Sequence, residues 1–197
     1  NVIKQLKELY RLNKSDSIIS LSGEVLQDLK SKASKDSLLF AKIYFYEFMA
    51  LHRTNKSIKN RASINKGISY CPQSNTGDSL KAVFYNKKAY LENELESGMK
   101  SYKSILSSVK LLEKLPNPNY GYLMGAYLLL SNKNSFYGNF EQAKRYMRLA
   151  ENVYNKNKAE IDRDTWELNG NHHRLGVIAK YRKIYMLCGL SETPKDS

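Results

Sequence analysis

The feature that most constrains this chain is a recurrence of about 41 residues in the places where helices can begin. Four capping residues each stand ahead of an aromatic-rich apolar run: Asp36, Asp78, Asn119 and Asp162, spaced 42, 41 and 43 residues apart. A second series, Asp16, Ser57, Gly98 and Asn139, has spacings of 41, 41 and 41 residues. Side chains of Asp, Asn and Ser accept hydrogen bonds from the orphan N–H groups of a first helical turn, and Gly is tolerated there. Two interleaved series at one period predict a repeated helix–turn–helix unit, in which each hairpin buries its apolar face against the next.

Spacing inside the segments is helical. Leu106, Val109, Leu112 and Leu115 recur every three residues, and Ala143, Met147, Ala150 and Val153, joined by Leu149, form a stripe at steps of three and four. Chain breakers fall between the expected helices. Leu115-Pro116-Asn117-Pro118-Asn119 cannot continue a helix, and Ser69 to Gly77, containing Pro72, reads as the longest loop. One domain over residues 1–197 is expected, with hairpins at 1–34, 35–77, 78–118 and 119–160 and a terminal helix over 161–190, about nine helices in all.

Residues 119–155 carry a family resemblance. Gly138-Asn139-Phe140-Glu141-Gln142-Ala143, followed by Met147 and Ala150, resembles the second helix of a tetratricopeptide repeat, with a small residue in the turn, an aromatic anchor and two alanines seven residues apart. Tyr127 and Leu130 fall near the aromatic and leucine positions of the first helix. The other units depart from that pattern, with Tyr102 and Arg61 at the first alanine position and Val109 and Ile68 at the second. Lengthened repeats of this kind resemble the sensor domains of bacterial transcription regulators and peptide-responsive factors. The resemblance implies an all-α, right-handed solenoid of antiparallel helical hairpins.

Lys and Arg outnumber Asp and Glu by 32 to 19, for a net charge of +13. Such a surface suits an anionic partner, either an acidic peptide or nucleic acid, although the lysines are dispersed along the chain, which favours a solvated basic face. Cys71 and Cys188 belong to no CxxC or Cys/His pattern and are expected as free, half-buried thiols, which leans towards a reducing compartment and a cytoplasmic placement. No stretch approaches the roughly 18 consecutive apolar residues of a membrane span. A chain that opens on Asn1 is expected to be a processed or excised form.

Motifs for chemistry are absent. His172 and His173 are adjacent, so on a helix their side chains diverge by about 100°, and with His52 they make no ligand set for zinc. There is no GxGxxG, no Walker-type loop and no GxSxG elbow. Glu92 and Glu94, and likewise Glu94 and Glu96, are two residues apart and point away from one another, while Asp162 and Asp164 suit the positive end of a helix dipole. No metal, cofactor or catalytic set is expected.

Fifteen tyrosines remain, concentrated in the first helices of the expected hairpins. Core packing accounts for most of them, and a contact groove accounts for the rest. In tetratricopeptide arrays the first helices line the concave face, so the resemblance implies a ligand groove containing Tyr46, Arg53, Lys87, Asn132 and Asn171. The expected role is a non-catalytic scaffold for a protein or peptide, as the sensor or interaction segment of a larger regulatory protein. Nucleic-acid binding through the basic surface is the alternative.

Overall fold

The computed structural model describes residues 1–54, 57–95 and 98–169, and every regular element over them is an α-helix. In chain order these are α1 (Val2–Arg11), α2 (Ser15–Ser31), α3 (Ser37–Arg53), α4 (Ser57–Tyr70), α5 (Asn75–Leu95), α6 (Gly98–Leu112), α7 (Tyr120–Phe136) and α8 (Phe140–Asn169). The chain divides into two compact units, Asn1–Glu96 with α1 to α5 and Ser97–Ser197 with α6 to α8.

The local rules for helix starts operate as the capping residues suggest. Asp36 accepts the N–H of Leu39 at 2.9 Å to open α3, and Asn119 accepts that of Tyr122 at 2.9 Å to open α7. Each cap of this kind stabilises its helix by about 1 kcal/mol. Helices α2, α4, α6 and α8 begin at Ser15, Ser57, Gly98 and Phe140, each within one residue of the second series, although Asp16 does not cap α2: it lies inside the helix, whose N-cap Lys14 makes no side-chain cap hydrogen bond.

Three further expectations are corrected. Asp78 does not cap α5, which begins three residues earlier, at Asn75, where Ser74 Oγ accepts the N–H of Gly77. The expected loop over 69–77 therefore shrinks to residues 71–74, and the longest connection among the described residues is 113–119. Asp162 starts no separate helix. Helix α8 runs past it to Asn169, and its regularity breaks instead at Asn157 (φ −127°, ψ 25°), whose side-chain N–H donates to the carbonyl of Val153 at 3.0 Å. The Asn157 side chain thus competes with its own helix for a backbone carbonyl at the break. Eight helices are thus present among the described residues where about nine were expected, and the remainder of the expected terminal helix lies outside those residues.

The pairs α3–α4, α4–α5, α6–α7 and α7–α8 run antiparallel, as their cross-contacts show. Glu47 meets Ser63 while His52 meets Asn60 across α3 and α4, and Asn65 meets Lys88 across α4 and α5. In the second unit Tyr102 meets Asn134 across α6 and α7, and Ser131 meets the Ala143 carbonyl across α7 and α8.

Helix α3 organises the first unit because it is apolar on two faces. Phe40, Ile43 and Tyr44 join Leu6, Ile18 and Leu26 in one core, while Ala41 and Phe48 join Ile64, Phe84 and Leu91 in another. Tyr70 of α4 stacks on Phe40 and Tyr44, with centroids 4.7 and 5.7 Å away. Full burial of each such side chain contributes about 1.5–3 kcal/mol.

In the second unit the stripe of Ala143, Met147 and Ala150 on α8 turns to the core, where all three are fully buried. The small residues admit α7 closely enough for buried Ser131 Oγ to donate to the Ala143 carbonyl at 2.8 Å. Helix α6 buries Ser101, Ser104 and Ser108 beside Ile105, Val109 and Leu112, whereas Leu106 of the expected stripe is only half-buried.

Candidate functional site

Two of the five expected groove residues, Tyr46 and Arg53, come together in the first unit. They lie seven positions apart on α3, two helical turns, and so share a stripe. The residue that joins them is Tyr10, at the end of α1. Tyr46 meets the Tyr10 ring edge-on, with centroids 6.3 Å apart and planes at 65°. The Arg53 guanidinium lies 3.7 Å from the Tyr10 ring centroid, and its Nη1 donates to the Tyr10 carbonyl at 3.0 Å.

Each part has a local cause. Helix α1 ends with Asn13 in the left-handed region (φ 57°), and the N–H groups of Asn13 and Lys14 close back on the carbonyls of Tyr10 and Leu9. This closure leaves Tyr10 in the last turn of α1, beside α3. Arg53 occupies the last turn of α3, where a cation complements the carbonyl end of the helix dipole. Burial raises the phenol pKa of Tyr46 above its ordinary value, with neighbouring Tyr10 adding to the effect, so the ring presents a neutral hydroxyl.

The cluster is therefore an aromatic ledge with a cation fixed on it. Arg53 itself is exposed, and a guanidinium has five N–H donors in a planar fork that matches a carboxylate. Stacking on Tyr10 restrains the arginine in advance, which lowers the entropy lost when an anion docks.

The other expected residues lie elsewhere. Lys87 is half-buried on α5, and burial lowers its pKa. Asn132 is exposed on α7, in the second unit, and Asn171 falls outside the described residues. Tyr10 is absent from the expected set because nothing local links it to Arg53, 43 residues away.

The tyrosines divide as packing demands. Tyr44 and Tyr127 are buried, Tyr46, Tyr85, Tyr120 and Tyr122 are half-buried, and Tyr90 is exposed. Burial and a hydrogen bond to Glu113 hold the Tyr127 hydroxyl in its neutral form, donating at 2.6 Å. A row of polar contacts also crosses α3, α4 and α5. Ser63 Oγ donates to Glu47 at 2.5 Å, Asn60 Nδ2 lies 3.4 Å from His52 Nδ1, and Lys88 donates to Asn65 at 2.9 Å. Ser63 is committed to a carboxylate, and the His52 ring stacks on Phe48 with centroids 6.0 Å apart.

No group of three or more His, Cys, Asp or Glu side chains among the described residues could hold a metal ion. Among the same residues no helix is long and apolar enough to cross a membrane. Fold and cluster together define an all-helical protein of paired antiparallel helices that carries an arginine on an aromatic ledge. No protein-family model matches the sequence, and a search of curated proteins finds no match to it.

Proposed function

We propose that this protein is a non-catalytic scaffold of tetratricopeptide-like hairpins that binds a protein or peptide segment bearing a carboxylate, as the sensor or interaction part of a larger regulatory protein. The observation that carries the reading is the arrangement of Tyr46 and Arg53 on Tyr10, which leaves a restrained guanidinium open to solvent. A net charge of +13 draws acidic segments towards it. The continuous right-handed solenoid and its concave groove belong to this proposal, as does the participation of Lys87, Asn132 and Asn171.

An acidic peptide array, followed by titration of the best binder, tests the reading. Loss of one charge-assisted contact is worth about 1.5–3 kcal/mol, so Arg53→Ala should weaken binding by about 10- to 100-fold. Tyr46→Ala and Lys87→Glu should each weaken it as well. Unchanged affinity in all three variants would refute the site.

The basic charge also supports a second reading, in which the partner is nucleic acid. That reading requires oligonucleotide affinity to fall steeply with salt, because neutralised phosphates release counterions. A shallow salt dependence would reject it.

A further inference from the structure

We infer that the tip of the α7–α8 hairpin, together with the start of α6, is a docking surface for a lipid bilayer rich in anionic headgroups. Six large apolar side chains are exposed among the described residues, and four of them belong to these segments: Phe136 at 82% exposure, Met99 at 58%, Phe140 at 50% and Tyr137 at 46%. The other two, Leu12 and Tyr90, belong to the first unit.

The tip is built to hold these side chains outward. Helix α7 closes with Gly138 in the left-handed region (φ 75°), where the Gly138 N–H donates to the Ser135 carbonyl at 3.1 Å and the Asn139 N–H to the Asn134 carbonyl at 2.8 Å. Only glycine takes that conformation at little cost. In this motif an apolar residue following the glycine usually folds back onto the helix. Here that position is Asn139, and the aromatics flank it on both sides. The Phe136 and Tyr137 rings meet edge to face with centroids 5.4 Å apart. The Tyr137 hydroxyl lies against the backbone of Gly98, where any side chain would collide with it, and this contact brings Met99 to the tip.

Charge selects the partner. Lys100 and Lys103 follow Met99 on α6, Lys133 stands on the last turn of α7, and Lys144 and Arg145 follow Phe140 on α8. Among the described residues, Glu141 is the acid beside Phe140 on α8, and it is paired with Lys144 at 3.2 Å. A second copy of the chain would bring like charge against like charge. Exposed apolar side chains, two phenylalanines, a tyrosine and a methionine, on segments that also carry these cations match the interface of an anionic membrane, where aromatic rings sit at headgroup depth and lysines reach the phosphates.

The test is cosedimentation of the full chain with vesicles of phosphatidylcholine alone, and of phosphatidylcholine containing about one third phosphatidylserine, a mixture whose surface potential attracts basic segments. Binding to the anionic vesicles should exceed binding to the neutral ones by at least about tenfold. Phe136→Ala/Phe140→Ala should reduce it by about tenfold while leaving the circular dichroism spectrum unchanged, because both rings are exposed. Lys100→Glu/Lys103→Glu should cost about fivefold per reversed charge. A tryptophan introduced by Phe136→Trp should shift its emission to the blue and be quenched by brominated lipid.

Absence of binding to anionic vesicles at low salt overturns the proposal, and so does binding that the Phe136→Ala/Phe140→Ala variant leaves intact. Capture of a single-stranded oligonucleotide that depends on the same two phenylalanines, without vesicle binding, would assign the surface to base stacking and overturn it too.

Discussion

Replacing Gly67 with alanine should destabilise this protein, although helix propensity alone predicts the opposite. Gly67 lies in the interior of α4, where alanine is favoured over glycine by about 1 kcal/mol. A methyl group there would overlap the ring of Phe84, with three of its carbons inside contact distance. Phe84 is fully buried on α5, and Phe45 holds it edge-on with centroids 5.6 Å apart and planes at 80°. The same core contains Ala41, Phe48, Ile64 and Leu91, so the ring has little room to retreat. Overpacking of this kind costs about 1–3 kcal/mol, and complete loss of the Phe84 seat would approach the 3–5 kcal/mol, roughly, of a Phe-to-Ala truncation. Three ring carbons lie within 3 Å of the added methyl, which places the cost in the upper part of the overpacking range, about 2–3 kcal/mol, and subtracting the propensity gain of about 1 kcal/mol leaves a net loss of about 1–2 kcal/mol.

Urea unfolding followed by circular dichroism measures it. With a slope of about 2 kcal/mol per molar, the midpoint should fall by about 0.5–1 M. Gly23→Ala on α2 is the internal control, because nothing lies within 4 Å of a methyl group placed there, and it should raise the midpoint by about 0.5–1 kcal/mol equivalent. Phe84→Leu in the Gly67→Ala background should restore part of the loss, giving a coupling energy of about 0.5–3 kcal/mol. Hydrogen exchange of α4 and α5 amides assigns the loss to the first unit. A Gly67→Ala midpoint raised as much as that of Gly23→Ala would refute the packing argument.

Two further outcomes are expected. Ala33 ends α2 with φ 47°, in the left-handed region that costs a residue with a Cβ about 1 kcal/mol, so Ala33→Gly should stabilise the protein by about 0.5–1 kcal/mol in the same unfolding assay. Burial pushes the Cys71 thiol from 9.0 up to about 11, with Lys81 opposing and Asp78 assisting, and its Sγ donates to the Gly67 carbonyl at 3.3 Å. The folded state therefore holds this proton more tightly than the unfolded state. Its contribution to stability is present below pH 9 and is lost as pH rises through about 11. Native iodoacetamide labelling of Cys71 at pH 8, read by mass spectrometry, should run about a hundredfold slower than in urea.

Much of the helical order was legible because caps and breakers act over three or four residues. Asp36 and Asn119 cap the helices they announce, and four further helix starts fall within one residue of the capping series. Asp162 misled because an acidic residue favours a helix start without requiring one, while the break itself fell at Asn157. The buried serines of α6 were illegible as core, since a hydroxyl reads as polar even where its small volume is what close packing requires. At the candidate site, Tyr46 and Arg53 could be placed on one stripe from their separation of seven. Tyr10 could not be joined to them from the sequence.

The sequence by itself determined most of the helices and the spacing of about 41 residues between the starts of α2, α4, α6 and α8, because both follow from hydrogen bonds and apolar spacing between near neighbours. Tertiary structure alone decided which glycine is open and which is jammed. Gly23 and Gly67 are the same residue in the same kind of helix, and only the approach of Phe84 from another helix distinguishes them. It likewise decided which tyrosine carries Arg53, since a contact across 43 residues exists only after α1 and α3 have packed.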